Sequence, residues 1–311
     1  RQGLQVVIQL GAQVGQNVTK ISFDKARFIS NKSGFGKGKT DIQSKMSALG
    51  EALERFSVLY QGNEEVITAR YSEVENQAVN PFDILLFSEN QYNNREFYQK
   101  NSDTAKIPER FDKDAVIDWS PIFSITENKW KLIPTEYIYY YSPVINNKRF
   151  FYADSNGIAG GNCIEEAFLQ GIFELIERDA IAMWWYNKLK KIPIDLDSIQ
   201  DKYIKNVARN LQKMGYTFCL LDLTNDIGIP VIAALAFNRN SEKVIVKSPG
   251  FGAHFDINIA IERAVLEFGQ SWILSENFNI DEYCLKFQNK KLCEFDFLYP
   301  ADNLPAKNIN E

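Results

Sequence analysis

Histidine and cysteine are scarce in this chain of 311 residues, which has one histidine and four cysteines. The cysteines form no Cys-x-x-Cys pair and no cluster with the histidine. These spacings give no support to a zinc site or a disulfide framework, and they fit a reducing cytoplasm best. The four positions are Cys163, Cys219, Cys284 and Cys293.

Long apolar runs and basic blocks are also missing from the sequence. No stretch reaches the roughly 18 consecutive apolar residues of a membrane helix, so we expect no membrane span. The net charge is −5, and the lack of a lysine- or arginine-rich block argues against nucleic acid as a partner. A local basic pocket for a small anion is compatible with this charge.

The composition is that of a globular protein, since 45% of the residues are hydrophobic and 13% are aromatic. This content is enough to bury a large core, and no low-complexity linker divides the chain. We therefore expect residues 1–311 to form a single domain. Because the first residue is Arg1 rather than methionine, we also expect that domain to be a piece of a longer protein.

Hydrophobic periodicity predicts strands grouped around three long amphipathic helices. These helices are predicted from Asp41 to Tyr60, from Ile164 to Tyr186 and from Ile257 to Leu274. A hairpin is predicted from "IPTEYIYYYS" and "RFFYAD", and paired strands from "YTFCLLDLT" and "IPVIAALAFNR". Shorter elements are expected at "LQVVIQL", "ARFIS", "FDILLFSENQY" and "YIKNVARNLQKMG". The pattern indicates an α+β fold with mixed or antiparallel sheets packed against three acidic-faced helices.

Each long helix carries an acidic stripe with an arginine beside it. At about 100° per residue, the stripe of the first helix covers about a third of its circumference. The stripes comprise Ser47, Glu51, Glu54 and Arg55 on the first helix, Glu166, Gln170, Glu174 and Glu177 on the second, and Arg263, Glu267 and Gln270 on the third. The opposite side of the first helix is apolar and carries Leu49, Leu53, Phe56 and Tyr60.

Two interpretations of these stripes are open from the residues alone. They are either solvated faces held by ion pairs one turn apart, or the walls of a cation site. Like charges at this spacing repel one another unless a positive charge lies among them. Mg²⁺ is the natural candidate, because it takes carboxylate oxygens and brings nucleotide phosphates that the arginines would contact.

The glycine-rich "SGFGKGKT" at residues 33–40 offers a competing nucleotide site. Gly38-Lys39-Thr40 stands between a strand and a helix as in a P-loop, and Asp222 ends an apolar strand as in a Walker B segment. The first glycine of that motif is replaced by Ser33. The segment is therefore a P-loop, a glycine-rich turn without a ligand, or a loop that brings Lys37 or Lys39 to phosphates in another geometry.

Three blocks of the chain resemble the YcaO family, whose ATP site is built without a P-loop. They are "SALGEALER", "SNGIAGGNCIEEAFLQGIFELIERDA" and "GFGAHFDINIAIERAVLEFGQ". The stretches "GFGKGKT", "DWSP", "ERDAIAMWWYNKL" and "LDLTNDIGIP" are similar to the azoline-forming cyclodehydratases of that family. The resemblance implies an enzyme that uses ATP and Mg²⁺ to close thiazoline or oxazoline rings from Cys, Ser or Thr in a ribosomally made peptide.

The resemblance also implies roles for individual residues. The Mg²⁺ ligands would be Glu51, Glu54, Glu166, Glu177 and Glu267. Contacts to the nucleotide and its phosphates would come from Ser47, Arg55, Asn162, Gln170, Arg178 and Arg263. Lys37 of the glycine-rich loop is assigned to the phosphates as well. No nucleophile of the protein is expected, because the substrate supplies the attacking thiol or hydroxyl group, and the catalytic base is left unassigned.

Two other functions stay open beside cyclodehydration. One is a thioamide- or amidine-forming enzyme of the same family, and the other is an ATP-binding accessory protein without turnover. The closing "NLPAKNINE" departs from the proline-rich carboxyl terminus that is usual in this branch. Expected partners are a precursor peptide, a fused or separate domain that binds its leader segment, and a second copy of the chain as a homodimer. We expect neither the leader-binding domain nor the proline-rich tail within these residues.

Overall fold

The computed structural model describes residues 6–9, 33–101, 107–238, 245–275 and 305–310. The strands are β1 (Val6–Gln9), β2 (Ser33–Gly36), β3 (Ile67–Arg70), β4 (Val116–Ser124), β5 (Lys129–Pro134), β6 (Thr217–Asp222), β7 (Val231–Asn238) and β8 (Ile245–Ala253). The α-helices are α1 (Asp41–Ser57), α2 (Tyr71–Val74), α3 (Pro81–Ile84), α4 (Glu89–Asn93), α5 (Arg95–Asn101), α6 (Thr135–Ile138), α7 (Ile164–Asn187), α8 (Lys202–Lys213) and α9 (Ile257–Ser275). The predicted strand "ARFIS" lies outside the described residues.

Contacts along the chain divide it into two compact units. The larger unit contains Arg1–Leu10, Ser33–Leu53 and Asn156–Glu311, and the smaller contains Gly11–Lys32 and Glu54–Ser155. This division does not test whether residues 1–311 form a single domain, which stays a prediction. Within the part of the chain that the structure describes, no helix combines the length and the apolarity needed to cross a bilayer.

A three-stranded antiparallel sheet, in the order β6-β7-β8, forms the centre of the larger unit. Successive residues of a strand point to opposite faces, and both faces of this sheet are covered by helices. Leu221, Ala233 and Leu235 pack on one face against α7, whereas Leu220 and Ile232 pack on the other face with residues of α8 and α9. The predicted pairing of "YTFCLLDLT" with "IPVIAALAFNR" is confirmed, and both strands are almost wholly buried.

At two places in the larger unit, a Gly-Phe-Gly strand lies directly on the backbone of a helix. A Cβ atom added to Gly34 of β2 would lie 2.0 Å from the carbonyl oxygen of Ala48 on α1. One added to Gly250 of β8 would lie 2.0 Å from the backbone nitrogen of Phe268 on α9. Only glycine permits this approach. We call β2 with α1 the first strand–helix module, and β8 with α9 the second.

The close approach of β2 also decides which face of α1 is buried. The buried residues of this helix are small, namely Ser44, Ala48 and Ala52. The apolar side predicted from the sequence is exposed, since Leu53 and Phe56 keep 54% and 48% of their surface accessible. The helix begins at Asp41 as predicted and ends at Ser57 rather than Tyr60.

The smaller unit contains an antiparallel sheet in the order β3-β4-β5, and Trp119 of β4 is fully buried. The indole N–H of Trp119 donates a hydrogen bond of 3.1 Å to the carbonyl oxygen of Ala69. Aromatic residues Phe111, Phe150 and Phe151 fill the same core. The single helix predicted around "FDILLFSENQY" is divided into α3 and α4.

The predicted hairpin between "IPTEYIYYYS" and "RFFYAD" is wrong. The strand β5 pairs with the preceding β4, and the chain turns into the short helix α6 at Thr135. The backbone N–H groups of Phe150 and Phe151 donate to the buried carboxylate of Glu136, at 3.2 and 3.3 Å. Because the Glu136 carboxylate accepts the N–H groups that would otherwise bond to a partner strand, no hairpin ladder forms here.

The strand-on-helix contact predicts opposite effects for two alanine substitutions in the first module. Gly34→Ala should lower the free energy of unfolding by about 3 kcal/mol or more, because the new methyl group meets helix backbone that cannot move aside. Gly50→Ala on α1, where nothing lies within 4 Å, should raise it by about 0.5 to 1 kcal/mol. Urea denaturation of both variants checks this, and equal stabilities would contradict the close approach.

Candidate functional site

The first strand–helix module positions two of the predicted site residues through the backbone of its strand. The N–H of Phe35 donates to Oε2 of Glu51 at 2.9 Å, and the N–H of Lys37 donates to Oγ of Ser47 at 3.4 Å. Ser47 and Glu51 therefore face β2 and the start of the glycine-rich loop. Their common stripe on α1 is the face that the helical period predicted.

The second module repeats this arrangement. The N–H of Phe251 donates to Oε1 of Glu267 at 3.3 Å, and in each module the phenylalanine and the glutamate are 16 positions apart. The guanidinium of Arg263 donates to the carbonyl oxygen of Ala253 at 3.0 Å, across the same 10 positions that separate Lys37 from Ser47. The two "GFG" segments of the sequence contained this signal, but the prediction from the three blocks of resemblance did not use their repetition.

A cluster of charges joins the second module to the glycine-rich loop and α7. The Lys37 ammonium group forms an ion pair with Oε2 of Glu267. Burial, together with the neighbouring Glu267 carboxylate, raises the pKa of Glu177 to about 7, while Lys37 and Arg178 oppose that rise. The structure thus brings together four predicted residues, Lys37, Glu177, Arg178 and Glu267.

Two guanidinium groups complete the electrostatics of this cluster. Burial acts to lower the pKa of Arg178, but Glu177 and Glu174 outweigh it and raise that pKa. Burial lowers the pKa of Arg263, against the attraction of Glu177. The Arg263 guanidinium also lies 5.7 Å from the ring centroid of Phe173. Arg263 is therefore a partly dehydrated cation and Arg178 a more exposed one, and both lie beside Glu177, where they attract a bound anion.

The remaining predicted residues lie elsewhere, on α1, on α7 and in the loop before α7. Asn162 donates from its backbone and its side chain to Oε2 of Glu166, at 2.8 and 2.9 Å, and Gln170 follows one turn later on α7. In the described part of the chain, these hydrogen bonds run between Asn162 and Glu166 and do not reach the Glu177 cluster. Glu54 and Arg55 lie in the last turn of α1, in the smaller unit.

Sequence reasoning left Glu174 without a role, although it lies on the stripe of α7. Its Oε2 accepts the N–H of Gly157 at 3.1 Å, and its Oε1 accepts a hydrogen bond of 3.2 Å from Arg178. Glu174 therefore fixes both the loop before α7 and the guanidinium beside Glu177. A loop glycine 17 positions away along the chain leaves no periodic signal from which this contact could be predicted.

The structure gives the P-loop candidates other partners. The Lys39 ammonium group pairs with Asp201 at 2.6 Å and with Glu262 at 2.8 Å, and these carboxylates raise the pKa of Lys39 despite the opposing effect of burial. Asp222 pairs with Lys307 at 2.6 Å. Lys39 thus ties the glycine-rich loop to α8 and α9, and of the two loop lysines only Lys37 faces the acidic cluster.

The carboxylates of this cluster suit a cation that keeps phosphate and water among its ligands. Within the described residues, no group of three histidine, cysteine, aspartate or glutamate side chains is already gathered as a metal cage. Mg²⁺ needs no such cage, because it is usually held by one or two carboxylates, with phosphate and water as its other ligands. Glu177 and Glu267 provide such a pair, and the nearby cations Lys37, Arg178 and Arg263 provide for phosphate.

Comparison with known families gives a match over most of the chain. Residues 35–297 match the sequence model of the YcaO family, which is described as a YcaO cyclodehydratase that binds ATP and Mg²⁺. A protein of Methanothermobacter thermautotrophicus, described as uncharacterized, is 27% identical over 237 residues. That alignment covers 76% of this chain and 56% of the archaeal protein.

Solved structures show the same fold. A heterocyclase in complex with substrate and cofactor is 38% identical, with a TM-score of 0.83 over 93% of this chain and 39% of its own. The heterocyclase TruD is 35% identical, with a TM-score of 0.73 over 86% of this chain and 38% of its own. YcaO from Methanopyrus kandleri, bound with AMPPCP and Mg²⁺, shares the fold at 21% identity, with a TM-score of 0.55 over 79% of this chain and 56% of its own. The chain thus spans well under half the length of the two heterocyclases.

The raised pKa of Glu177 predicts a loss of stability with increasing pH. The unfolded carboxyl group ionises near its ordinary pKa of 4.5, whereas the folded one ionises near 7. The stabilisation from this group is therefore complete below about pH 4.5 and is lost as the pH rises to about 7, which costs up to about 3 kcal/mol.

Glu177→Gln should remove this pH dependence, because the amide stays neutral. Urea unfolding at about pH 5 and pH 8, without Mg²⁺ or nucleotide, should show the variant losing less stability than the unchanged chain. Glu165→Gln, at an exposed carboxyl group on the same helix, is the matched control and should keep the original dependence. Parallel profiles for the Glu177 variant and the unchanged chain would contradict the assignment.

Proposed function

Because the chain belongs to the YcaO family, we propose that it is the ATP- and Mg²⁺-dependent part of a peptide cyclodehydratase. The observation that carries this proposal is the proximity of the half-buried Glu177 to Glu267, amid Lys37, Arg178 and Arg263. Such a mixture of carboxylates and cations suits a divalent cation together with a polyphosphate. The similarity to the heterocyclases over nearly the whole chain supports ring formation as the reaction.

We assign the remaining residues by the same reasoning. Glu177 and Glu267 hold the cation, with further carboxylates from Glu51, Glu54 and Glu166. The phosphates and the nucleotide are contacted by Lys37, Ser47, Arg55, Asn162, Gln170, Arg178 and Arg263. The substrate is a ribosomally made precursor peptide with Cys, Ser or Thr at the positions of the future thiazoline or oxazoline rings.

In this mechanism the side chain of the peptide attacks the preceding backbone carbonyl carbon and forms a five-membered ring. ATP would supply the phosphoryl group with which the former carbonyl oxygen leaves as phosphate, while the backbone nitrogen gives up its proton and forms the C=N bond of the ring. Bound Mg²⁺ would offset the charge of the transferred group. The protein contributes orientation and electrostatics rather than a nucleophile. Arg178 and Arg263 offset the negative charge of the phosphates, and the partial burial of Arg263 strengthens its effect because less water competes for it.

A component that binds the leader segment of the peptide would act with this site, either fused to it or as a separate protein. It would hold the reacting segment at a high effective concentration. We propose the cytoplasm as the compartment, since the substrate is made by ribosomes. A homodimer remains part of this proposal.

Nucleotide binding tests the site assignment. Glu51→Gln, Glu54→Gln and Glu267→Gln should each lose Mg²⁺-dependent binding of a non-hydrolysable ATP analogue while keeping the melting temperature, because each removes one charged ligand. Glu165→Gln is the matched control and should bind as the unchanged chain does. Calorimetry measures the affinities, and unchanged binding in all three site variants would overturn the assignment.

Mass spectrometry of a precursor peptide tests the reaction itself. After incubation with the chain, ATP, Mg²⁺ and the leader-binding component, the peptide should lose one water per ring. Exchange of one oxygen for sulfur would instead indicate a thioamide-forming enzyme. Condensation with an amine at a residue other than Cys, Ser or Thr would indicate an amidine-forming one. An unchanged mass despite intact nucleotide binding would indicate an accessory protein without turnover.

A further inference from the structure

The two strand–helix modules can be aligned residue by residue from the contacts that they share. Both carry the Gly-Phe-Gly strand, the close approach to the helix and the hydrogen bond from phenylalanine to a glutamate 16 positions later. Both also join the residue after the second glycine to one 10 positions later. The alignment pairs Ser47 with Arg263, Glu51 with Glu267 and Glu54 with Gln270.

Gln270 is the member of this set to which we have given no role so far. It lies three positions after Glu267 and seven after Arg263 on α9, so the helical period places all three on one face. Its side chain is half-buried. Glu267 and Arg263 take part in the charge cluster. Gln270 lies on the same helix face, one turn further along α9.

The aligned residues of the two helices differ in charge. On α1 the aligned Ser, Glu and Glu carry two negative charges, with Arg55 beside them. On α9 the aligned Arg, Glu and Gln have a net charge of zero. The α9 residues therefore repel an anion less than the α1 residues do. A carboxylate can only accept hydrogen bonds, but an amide at position 270 can also donate to a phosphoryl oxygen.

We propose that Gln270 binds the phosphate chain of the nucleotide by donating its side-chain N–H beside Arg263. This inference rests on the proposed function, because it requires that a nucleotide occupy the cluster around Glu177 and Glu267. Glutamine rather than glutamate at this position keeps the α9 side of the site from repelling the phosphates.

Two substitutions at Gln270 separate the hydrogen bond from the charge. Gln270→Ala should weaken binding of a non-hydrolysable ATP analogue with Mg²⁺ about tenfold, and Gln270→Glu should weaken it further because the new carboxylate repels phosphate. Binding of Mn²⁺ alone should not weaken in either variant. Calorimetry measures both affinities, and the melting temperature of each variant reports that it is folded. Gln212→Glu on α8 makes the same charge change on another helix and should leave both affinities unchanged.

The outcomes distinguish this inference from the proposed function. If the unchanged chain binds no nucleotide, the proposed function and the role of Gln270 fail together. If the unchanged chain binds and the Gln270 variants bind equally well, only the inference about Gln270 is overturned. Tighter nucleotide binding by Gln270→Glu, or weaker binding of Mn²⁺ alone by Gln270→Ala, would also overturn it, because the residue would then face the cation.

Discussion

The attachment of Glu267 to the neighbouring strand is the contact on which the rest of the site depends. A glycine on either side of Phe251 lets β8 lie against the backbone of α9, and the N–H of Phe251 then holds one carboxylate oxygen of Glu267. The other oxygen meets the Lys37 ammonium group. Because both oxygens are held, the charge of Glu267 stays in place beside Glu177. This charge and the removal of Glu177 from water both disfavour the ionised form of the Glu177 carboxyl group.

This arrangement links the fold to the chemistry through electrostatics. Two half-buried carboxyl groups held close together favour a state in which one of them is protonated or in which a cation lies nearby. The surrounding Lys37, Arg178 and Arg263 neutralise part of the charge, and their donors are suited to phosphate. Glu174 and Lys39 act one layer further out, where Glu174 holds Arg178 and Lys39 fixes the loop that carries Lys37. Binding a cation and an anion together would stabilise the charges of such a site.

The sequence predicted the three long helices and the buried β6 and β7 pair well, because periodicity and strand composition are local signals. It also predicted that Lys37, Glu177, Arg178 and Glu267 belong to one site. The hairpin at residues 133–154 was wrong because the Glu136 carboxylate competes for backbone donors, which residue patterns do not reveal. The buried face of α1 was missed for a similar reason, since Ala48 and Ala52 are selected by a strand that lies far too close for leucine. The pairing of Lys39 with Asp201 spans 162 positions and leaves no trace in local sequence.

We propose that Mg²⁺ and a nucleotide bind at the Glu177 and Glu267 carboxylates. Anomalous diffraction from crystals grown with Mn²⁺ and a non-hydrolysable ATP analogue tests it most directly. We expect an anomalous peak at a coordination distance of about 2.2 Å from a carboxylate oxygen of Glu177 or Glu267, with the phosphates beside Arg178 and Arg263. A peak and triphosphate located instead at Lys39 and Thr40, as in a P-loop, would contradict it.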